Sequence, residues 1–566
     1  MKTRSLLLYV PGLPLRIESF LPQRRLASVA SALLSKGHIT TILDYGTIES
    51  IRRSTPPGLT TLAQQASQAY EGKPSRFLPG FLTGYFQTRG FEVLLNEFLE
   101  GRQREIGSAI TACQPLDFVG FLVLDRSDLR EAISASERLR ERMPDVKQFV
   151  YGPYIDMFSS LILSVEEAFD CACMGDVEIA LPHWAECLHS PEQWNGLPNL
   201  VFRNGQQIVA TQCDMSTTLD RFPEPCYEKD VYPAAHDMGK FKVFSVEQSR
   251  ACASAPLHDS ESRLSTRLVR MRSSAVLCNE MLSLDKQFGA RAFHIEGKTT
   301  PAPHVEQLAR DLKTRGLAVQ YSRESHIRHL APSSLPLLAS SGCSSAGFQI
   351  DTGSQRLLED FYGHEFGVTD VERMLEACRK AGIFTVADLT YPCPQDDYHT
   401  RAETLRLLSR CHPSAVRLSM PVLTPGSTWM NSAPQFGFKV DHAEYSRWAL
   451  GHDSTPAWGE YRPPDVPYRM SGWTRSRISS EYAALLRDIE EEHIIIRATE
   501  REGLMARLSG YDGEEGMYCA MLQRRLFAAD ARGLMKLAGE FNGRATAPLN
   551  LVAFRPFTPV LAAVGN

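Results

Sequence analysis

The chain has 566 residues, of which 43% are hydrophobic and 22% are charged, and its formal net charge is −5. This length suffices for about two to four globular domains. The slightly acidic balance provides no global attraction to nucleic acid or to an anionic membrane surface, so a small-molecule partner is favoured. The first apolar run ends at Pro11-Gly12, too early for a signal peptide. We therefore expect a cytoplasmic protein without a nucleic-acid or membrane partner.

The first 180 residues alternate short apolar runs with helix-like stretches, which predicts a parallel sheet covered by helices. Strands are predicted over residues 6–10, 39–44, 117–123, 148–151 and 168–174. Ligands of open parallel sheets bind outside the carboxyl ends of the strands, so we expect the residues at these five ends to contact a cofactor. These residues are Pro11, Gly12, Asp44, Tyr45, Asp125, Arg126, Ser127, Gly152, Pro153, Tyr154, Gly175 and Asp176.

A second alternating series begins after a crossing segment over residues 186–240, which is rich in Pro, Asn and Gly and is predicted to be a linker. Six strands are predicted over residues 243–246, 290–295, 318–321, 346–350, 384–389 and 415–420. Amphipathic helices, such as those over residues 304–315 and 370–380, lie between them. Six such units predict a partial (β/α)6 barrel whose functional residues lie at the carboxyl ends of the strands.

The last part of the chain differs in character. Residues 480–508 carry apolar side chains at helical spacing, residues 517–537 are again apolar-rich, and residues 549–557 resemble a short strand. We expect a small, mainly helical domain that closes over the barrel mouth. The predicted division is 1–185 for the first domain, 186–240 for the linker, 241–440 for the barrel and 441–566 for the capping domain.

Several motifs occur in an order that is found in one family. Gly37-His38 precedes the strand that ends at Asp44, and Gly175-Asp176-Val177-Glu178 follows the fifth strand. In the second series, the motifs lie in residues 344–355, 391–396 and 421–427, the last of which contains Pro425-Gly426-Ser427. Across residues 5–430 these motifs resemble those of the cobalamin-dependent radical S-adenosylmethionine (SAM) enzymes.

The resemblance implies an α/β protein with three parts. The first is a doubly wound, Rossmann-like domain that binds cobalamin, the second is a partial TIM barrel of the radical SAM type, and the third is the helical cap. In this barrel, Glu296 and Asp351 are candidates for holding the amine or the ribose hydroxyls of SAM, although either carboxylate could equally be a salt-bridge partner on the barrel rim. Tyr391 and Arg417 are the candidate catalytic residues at the mouth.

The chain departs from the family at the loop that binds the iron-sulfur cluster. The family places three cysteines at C-x3-C-x2-C spacing after Ser-Arg-Gly, whereas here Ser249-Arg250-Ala251 precedes Cys252, and the other two positions hold Pro256 and Asp259. Three thiolates are needed to hold a four-iron cluster with one iron open. We therefore expect no iron-sulfur cluster and no metal site. A single metal ion on Cys252, His258 and Asp259 is the alternative.

The functional hypothesis is an enzyme of specialised metabolism that uses cobalamin for polar chemistry, such as methyl transfer from SAM to a small molecule. A reductase or a partner enzyme is a further candidate partner. Two alternatives stay open: a non-catalytic cobalamin-binding scaffold, and a cobalamin enzyme that does not use SAM. Ligand binding distinguishes them, because only the first hypothesis requires both cobalamin and SAM.

Overall fold

The structure, a computed structural model, describes residues 2–56, 58–62, 77–216, 218–250, 269–451 and 465–547. Its first sheet has seven strands in the order β2-β1-β3-β4-β5-β6-β7. These strands are β1 Arg4–Tyr9, β2 Ile39–Asp44, β3 Phe118–Leu122, β4 Lys147–Tyr151, β5 Cys171–Cys173, β6 Leu200–Asn204 and β7 Gln207–Ala210. The first five are parallel, as predicted.

Helices cover both faces of this sheet, which explains why the central strands are continuous apolar runs. They are α1 Arg24–Ser35, α2 Ile48–Ser54, α3 Phe77–Ala112, α4 Arg126–Arg142, α5 Pro153–Val165 and α6 Val177–Glu186. Local sequence explains where two of them begin. Asp125 accepts hydrogen bonds from the backbone of Ser127 and Asp128 and so caps α4, and Pro153 is the first residue of α5.

The first sheet continues beyond the predicted domain boundary at residue 185. Strand β6 pairs antiparallel with β5, and β7 pairs antiparallel with β6. The segment predicted to be a linker therefore supplies a β-hairpin to the edge of the sheet, and only residues after Ala210 cross to the barrel. The sequence pattern missed this hairpin because its strands are short and are flanked by many turn residues.

The second sheet is parallel and forms the open barrel, in the order β18-β15-β14-β13-β12-β11-β8. Its strands are β8 Val243–Glu247, β11 Ala292–Glu296, β12 Gln320–Ser325, β13 Cys343–Asp351, β14 Phe384–Thr390, β15 Ala415–Ser419 and β18 Ile495–Ile496. Two-stranded ribbons are formed by β9 Ser249–Arg250 with β10 Arg270–Met271, and by β16 Phe438–Val440 with β17 Tyr468–Met470. All six predicted strands are present, and Ile495–Ile496 adds a seventh.

Helices of the barrel and of the C-terminal part follow in chain order. They are α7 Ser274–Phe288, α8 Ala302–Thr314, α9 Leu335–Ser340, α10 Val368–Lys380, α11 Tyr398–Cys411, α12 Thr428–Asn431, α13 His442–Ala449, α14 Arg475–Glu491, α15 Glu500–Leu508, α16 Glu515–Phe527 and α17 Ala531–Ala545. Within the described ranges, none of the helices combines the length and the apolar character that crossing a bilayer requires.

Helix α15 lies inside the open barrel rather than over its mouth, where the sequence analysis expected the C-terminal helices. The Arg507 side chain donates to the carbonyl oxygens of Ser344, at 2.9 Å, and Gly382, at 2.6 Å, which lie near the amino ends of β13 and β14. A Cβ atom on Gly503 would approach the Phe384 ring to 2.3 Å, so glycine permits the close contact with β14. The predicted strand over residues 549–557 lies outside the described residues.

Candidate functional site

The carboxyl edges of the two sheets meet around Arg250, which follows β8. Its guanidinium donates to Asp176 Oδ1 at 3.0 Å, to Glu178 Oε1 at 2.6 Å and to Glu247 Oε1 at 2.7 Å. Asp176 and Glu178 follow the last parallel strand of the first sheet, and Glu247 ends the first strand of the barrel. One half-buried arginine therefore joins the turn after β5 to the end of β8.

A second set of buried ion pairs extends this junction. Arg24 of α1 lies 3.2 Å from both Glu247 and Glu280, and Arg272 donates to Glu280 at 2.8 Å. Burial raises the pKa of Glu247, but the guanidinium groups of Arg250 and Arg24 outweigh it and hold that pKa below its usual value. The junction is thus a network of paired charged groups, in which Arg24 Nη2 and Arg272 Nε have no hydrogen-bond partner among the described residues.

The turns after β1 and β3 are in direct contact. The Gly12 N–H donates to Asp128 Oδ1 at 2.8 Å, and a Cβ atom on Gly12 would lie 2.2 Å from the carbonyl carbon of Ser127. Arg102 of α3 donates to the carbonyl oxygen of Pro11. Burial and the neighbouring Asp125 raise the pKa of Asp128 to about 7. Predicted residues from two strands are therefore adjacent, as expected.

Two other predicted turns are covered by α13. The Arg126 guanidinium lies over the Trp448 ring, 4.5 Å from its centroid, and the Tyr154 hydroxyl donates to the Ala449 carbonyl at 2.7 Å. Gly152 has a φ of +127°, and a Cβ atom there would lie 2.3 Å from the Val123 carbonyl oxygen. The side chains of Arg126 and Tyr154 are thus engaged by the C-terminal part of the chain.

Asp44 is engaged within the protein. Its Oδ2 lies 2.7 Å from Lys240 Nζ, both side chains are fully buried, and the Tyr232 hydroxyl donates to the same oxygen at 2.5 Å. Tyr45, the next residue, is also buried. At another predicted turn, the one after β5, the Gly175 N–H donates to Asp156 at 2.9 Å. The carboxylate of Asp44 therefore connects β2 to the segment that leads into the barrel.

The face of the first sheet beneath its carboxyl edge has features that fit the tail of a cobalamin. Tyr151, the last residue of β4, is fully buried, and its hydroxyl has no hydrogen-bond partner among the described residues. On the neighbouring strand, Gly120 leaves out a side chain, and a Cβ atom there would lie 2.9 Å from Leu7 Cδ2 and 3.5 Å from Tyr151 Cε1. A polar ligand here would give the hydroxyl its missing partner.

The interior of the barrel mouth carries charged residues on adjacent strands. Arg417 of β15 donates to Asp388 Oδ2 of β14 at 2.6 Å and lies 3.9 Å from Glu324 of β12. The other oxygen, Asp388 Oδ1, is buried and accepts no hydrogen bond from a described residue. Burial raises the pKa of Asp388 to about 7, which Arg417 opposes and Glu324 and Glu500 reinforce. Glu296 is the last residue of β11, the strand that pairs with β12.

Glu500, the first residue of α15, enters the same space from below. It is 1% exposed, with Oε1 3.7 Å from His294 Nδ1 and 3.6 Å from Arg501 Nη1. Neither carboxylate oxygen has a hydrogen-bond partner in the described part of the chain. Sequence reasoning missed Glu500, Asp388 and His294. For the last two, a signal was present, because each is a polar residue inside an otherwise apolar strand.

Asp351 and Tyr391 are both engaged in the protein. Asp351 has a φ of +56°, lies 2.7 Å from His364 Nε2 through Oδ2, and accepts from Thr390 at 2.7 Å through Oδ1. The Tyr391 hydroxyl donates to Glu481 of α14 at 3.0 Å. Of the two predicted catalytic residues, the structure therefore brings Arg417 to the interior polar group and directs the Tyr391 hydroxyl to the helical layer.

Metal ligands are not clustered in the described residues. No three histidine, cysteine, aspartate or glutamate side chains in that part of the chain are grouped to hold a metal ion. The loop with Cys252, His258 and Asp259 lies outside the described residues.

No family model matches the chain. Solved structures with the same architecture nevertheless exist. The radical SAM methyltransferase TsrM from Kitasatospora setae, in a structure with cobalamin and a 4Fe-4S cluster bound, has a TM-score of 0.61 at 15% identity, covering 94% of this chain and 99% of that chain. A structure of the cobalamin-dependent SAM radical enzyme OxsB with aqua-cobalamin bound has a TM-score of 0.51 at 12% identity, covering 77% and 56%.

One curated relative adds a sequence match. Cytidylyl-2-hydroxyethylphosphonate methyltransferase from Streptomyces wedmorensis is 23% identical over 180 residues, which are 30% of this chain and 34% of that protein. The match thus spans about a third of the relative's length. The chain has the fold of the cobalamin-dependent radical SAM enzymes, which confirms the predicted resemblance and the predicted fold class.

Proposed function

We propose that this chain is a cobalamin-binding methyltransferase that moves a methyl group from SAM to a small molecule. The observation that carries the proposal is the contact of Arg250 with Asp176, Glu178 and Glu247. Because this contact joins the carboxyl edges of both sheets, a cofactor over the first sheet faces a ligand in the barrel mouth. The TsrM structure, whose fold is similar over 99% of its length, is that of a methyltransferase with bound cobalamin. The curated relative is also a methyltransferase.

The first domain is proposed to hold the cobalamin at its carboxyl edge. The turn backbones from Pro11 to Gly175 would line the edge, and the Tyr151 hydroxyl would bind the tail beside Gly120. When bound, cobalamin supplies a cobalt centre that accepts and donates a methyl group. The contribution of the chain is to hold the two ligands in register and to exclude water.

In the barrel, Glu296 and Arg417 are proposed to orient SAM and the methyl acceptor. Asp388 has a different role, because its Oδ1 atom is unpartnered while Arg417 holds Oδ2. With a pKa raised to about 7, Asp388 Oδ1 can receive the proton that a methyl acceptor releases. Asp351 is proposed to act through the backbone turn that follows β13, since its carboxylate is bound to His364 and Thr390.

The donor set of the cluster loop does not fit a 4Fe-4S cluster. The loop offers one thiolate, at Cys252, and Pro256 has no side-chain donor. We therefore propose polar methyl transfer rather than radical chemistry, with a reductase or another partner enzyme to maintain the reduced state of the cofactor.

The test is an absorbance spectrum and an iron and sulfide assay of the purified chain after incubation with hydroxocobalamin and desalting. We expect retained corrin absorbance without iron, followed by SAM binding in equilibrium dialysis and release of S-adenosylhomocysteine with an acceptor. Stoichiometric iron and sulfide would contradict the cluster-free site. Absence of retained corrin would contradict cobalamin binding, and retained corrin without SAM binding would favour the scaffold alternative.

A variant localises the cofactor. Tyr151→Phe removes only the hydroxyl that is proposed to bind the tail and should reduce corrin retention, whereas Gly101→Ala, where a Cβ atom meets no heavy atom within 4 Å, should leave it unchanged. Equal retention in a folded Tyr151→Phe variant and in the wild type would show that the tail does not use this hydroxyl.

A further inference from the structure

The floor of the barrel mouth is formed by a carboxylate that the protein itself leaves unsatisfied. Glu500 is 1% exposed, and neither of its oxygens accepts a hydrogen bond from a described residue. A buried carboxylate in this condition is costly, because it has lost its water and gained little in exchange. Such a group persists where a bound ligand supplies the missing donors.

The position of Glu500 is built into the fold. Thr499 caps α15 through a hydrogen bond from the Glu502 backbone at 3.2 Å, so the helix begins at the level of the interior polar group. Glycine at position 347 of β13 admits the Glu500 side chain, because a Cβ atom there would lie only 3.3 Å from Glu500 Oε2. Burial and the neighbouring Glu324 raise the pKa of Glu500, and Arg501 and Arg417 oppose this shift. A cationic ligand would favour the ionised carboxylate further.

Carboxyl groups and arginines face each other around this floor. Glu324, Asp388 and Glu500 approach it from three different elements, and Arg417 and Arg501 are the arginines that pair with them. Arg501 is shared with Glu18 of the first domain, 3.9 Å away.

The neighbouring histidine adds no positive charge. Burial, together with Arg501 and Arg323, holds the pKa of His294 well below its usual value, so this ring is neutral at physiological pH. Its Nδ1 atom lies 2.9 Å from Ser322 Oγ. Three carboxyl oxygens, both of Glu500 and Oδ1 of Asp388, are therefore left to accept hydrogen bonds from a ligand.

We propose that Glu500 and Asp388 form a subsite for a cationic nitrogen, an ammonium or amidinium group, of a ligand in the barrel mouth. The inference deepens the proposed function and rests on it in one respect, since the nitrogen belongs either to the methyl acceptor or to the amino-acid part of SAM. An ammonium group carries three donors and no acceptor, which matches a site with three open acceptor oxygens. An anionic ligand would meet the carboxyl oxygens of this floor and is disfavoured.

The experiment measures binding of benzylammonium and of the neutral benzyl alcohol to the full chain by isothermal titration near pH 8. We expect benzylammonium to bind at least about tenfold more tightly, in line with a charge-assisted hydrogen bond. Glu500→Gln and Asp388→Asn should each remove most of this preference. Glu502→Gln is the matched control, because Glu502 lies on the same buried helix but its oxygens are already bound by Thr499 and Gln523.

The source of the nitrogen follows from a second comparison. S-adenosylhomocysteine retains the amino-acid ammonium group, whereas 5′-methylthioadenosine lacks it. If Glu500→Gln loses affinity for S-adenosylhomocysteine but not for 5′-methylthioadenosine, the subsite belongs to SAM. Loss of affinity for benzylammonium without loss for S-adenosylhomocysteine assigns it to the acceptor. Unchanged affinity for all probes in folded Glu500→Gln and Asp388→Asn variants would overturn the inference.

Failure of the proposed function gives a different result. If the chain retains no corrin and yet binds benzylammonium through Glu500, the methyltransferase proposal fails and the cation subsite stands. If corrin is retained and the ammonium preference is absent, the cation subsite fails and the methyltransferase proposal stands.

Discussion

Glu178 accepts two hydrogen bonds from Arg250, from Nη1 at 3.0 Å and from Nη2 at 2.6 Å. This fork of parallel donors is the geometry in which arginine binds a carboxylate most specifically. The two residues belong to different domains. Glu178 lies in a motif that carried the family resemblance, and Arg250 lies where the chain begins to depart from the family at the cluster loop. The pair thus holds the two carboxyl edges together in this chain.

Replacing Arg250 should destabilise the chain strongly. Arg250→Met leaves Asp176, Glu178 and Glu247 buried without this partner, and removal of one member of a buried ion pair costs about 3–5 kcal/mol. Urea denaturation measures this loss. Arg310→Met is the control, because the Arg310 side chain is 54% exposed in its pair with Glu306 and an exposed pair contributes about 0–1 kcal/mol. Equal losses in the two variants would contradict the proposed role of the junction.

Cation binding in the barrel mouth should strengthen with rising pH. Asp388 has a pKa raised to about 7, so it is largely protonated in the free protein at about pH 6 and ionised at about pH 8. Arg417, Glu324 and Glu500 face it, and an amine probe keeps its charge over this range. The benzylammonium affinity should therefore rise through about pH 7, and Asp388→Asn should flatten the profile.

The same carboxyl group predicts a change of stability with the opposite sign. A raised pKa in the folded state means that the folded chain binds the proton more tightly than the unfolded chain. The contribution of Asp388 is fully present below its unfolded pKa of about 3.9 and is lost as the pH rises through about 7. As the pH rises through about 7, the midpoint of thermal unfolding should therefore fall less in Asp388→Asn than in the wild type. Other buried carboxyls with raised pKa, among them Asp128 and Glu502, continue to contribute in both proteins.

Helix α15 can be tested by two matched glycine substitutions. Gly503→Ala places a Cβ atom 2.3 Å from the Phe384 ring and should destabilise the chain by about 1–3 kcal/mol through overpacking. Gly539→Ala, on the exposed face of α17 with no heavy atom within 4 Å, should stabilise it by about 0.5–1 kcal/mol. A tolerated Gly503→Ala would mean that α15 does not pack inside the barrel.

Strand positions could be predicted from sequence because both sheets are covered by helices. Such strands are short apolar runs between turn residues, and Ile39–Asp44 is predicted at its observed ends. The polar residues at strand ends followed from the same reasoning. Which side chains remain open for a ligand did not follow, because Asp44, Asp351 and Tyr391 find partners elsewhere in the chain.

The floor of the barrel was beyond sequence reasoning for a topological reason. Glu500 begins a helix that looks like a surface segment in the linear pattern, yet its residues fill the inner face of strands far earlier in the chain. Ile495–Ile496 pairs with β15 over only two residues, too few for a periodic signal. The insertion of a segment that is remote in sequence depends on tertiary packing. In the sequence, only Gly347 and Gly503 point to it, because these glycines permit close contacts between α15 and the strands.

The pair of Asp44 and Lys240 distinguishes a structural role of Asp44 from the cofactor role predicted for it. Both side chains are fully buried, and Lys240 also donates to the carbonyl oxygens of Ser19 and Leu21 at 3.1 Å. Lys240→Met and Asp44→Asn should each cost about 3–5 kcal/mol, because each leaves one partner buried alone. The double variant should be more stable than the sum of the two losses by about 0.5–3 kcal/mol.

Corrin retention decides between the two roles. If Asp44 is structural, then Lys240→Met and Asp44→Asn should lose bound corrin in proportion to their loss of stability, and the double variant should recover part of both. If Asp44 contacts the cofactor, Asp44→Asn should lose corrin at conditions where Lys240→Met, equally destabilised, retains it. The contacts with Lys240 and Tyr232 occupy the carboxylate, so we expect the first pattern, and the second would return Asp44 to the cofactor site.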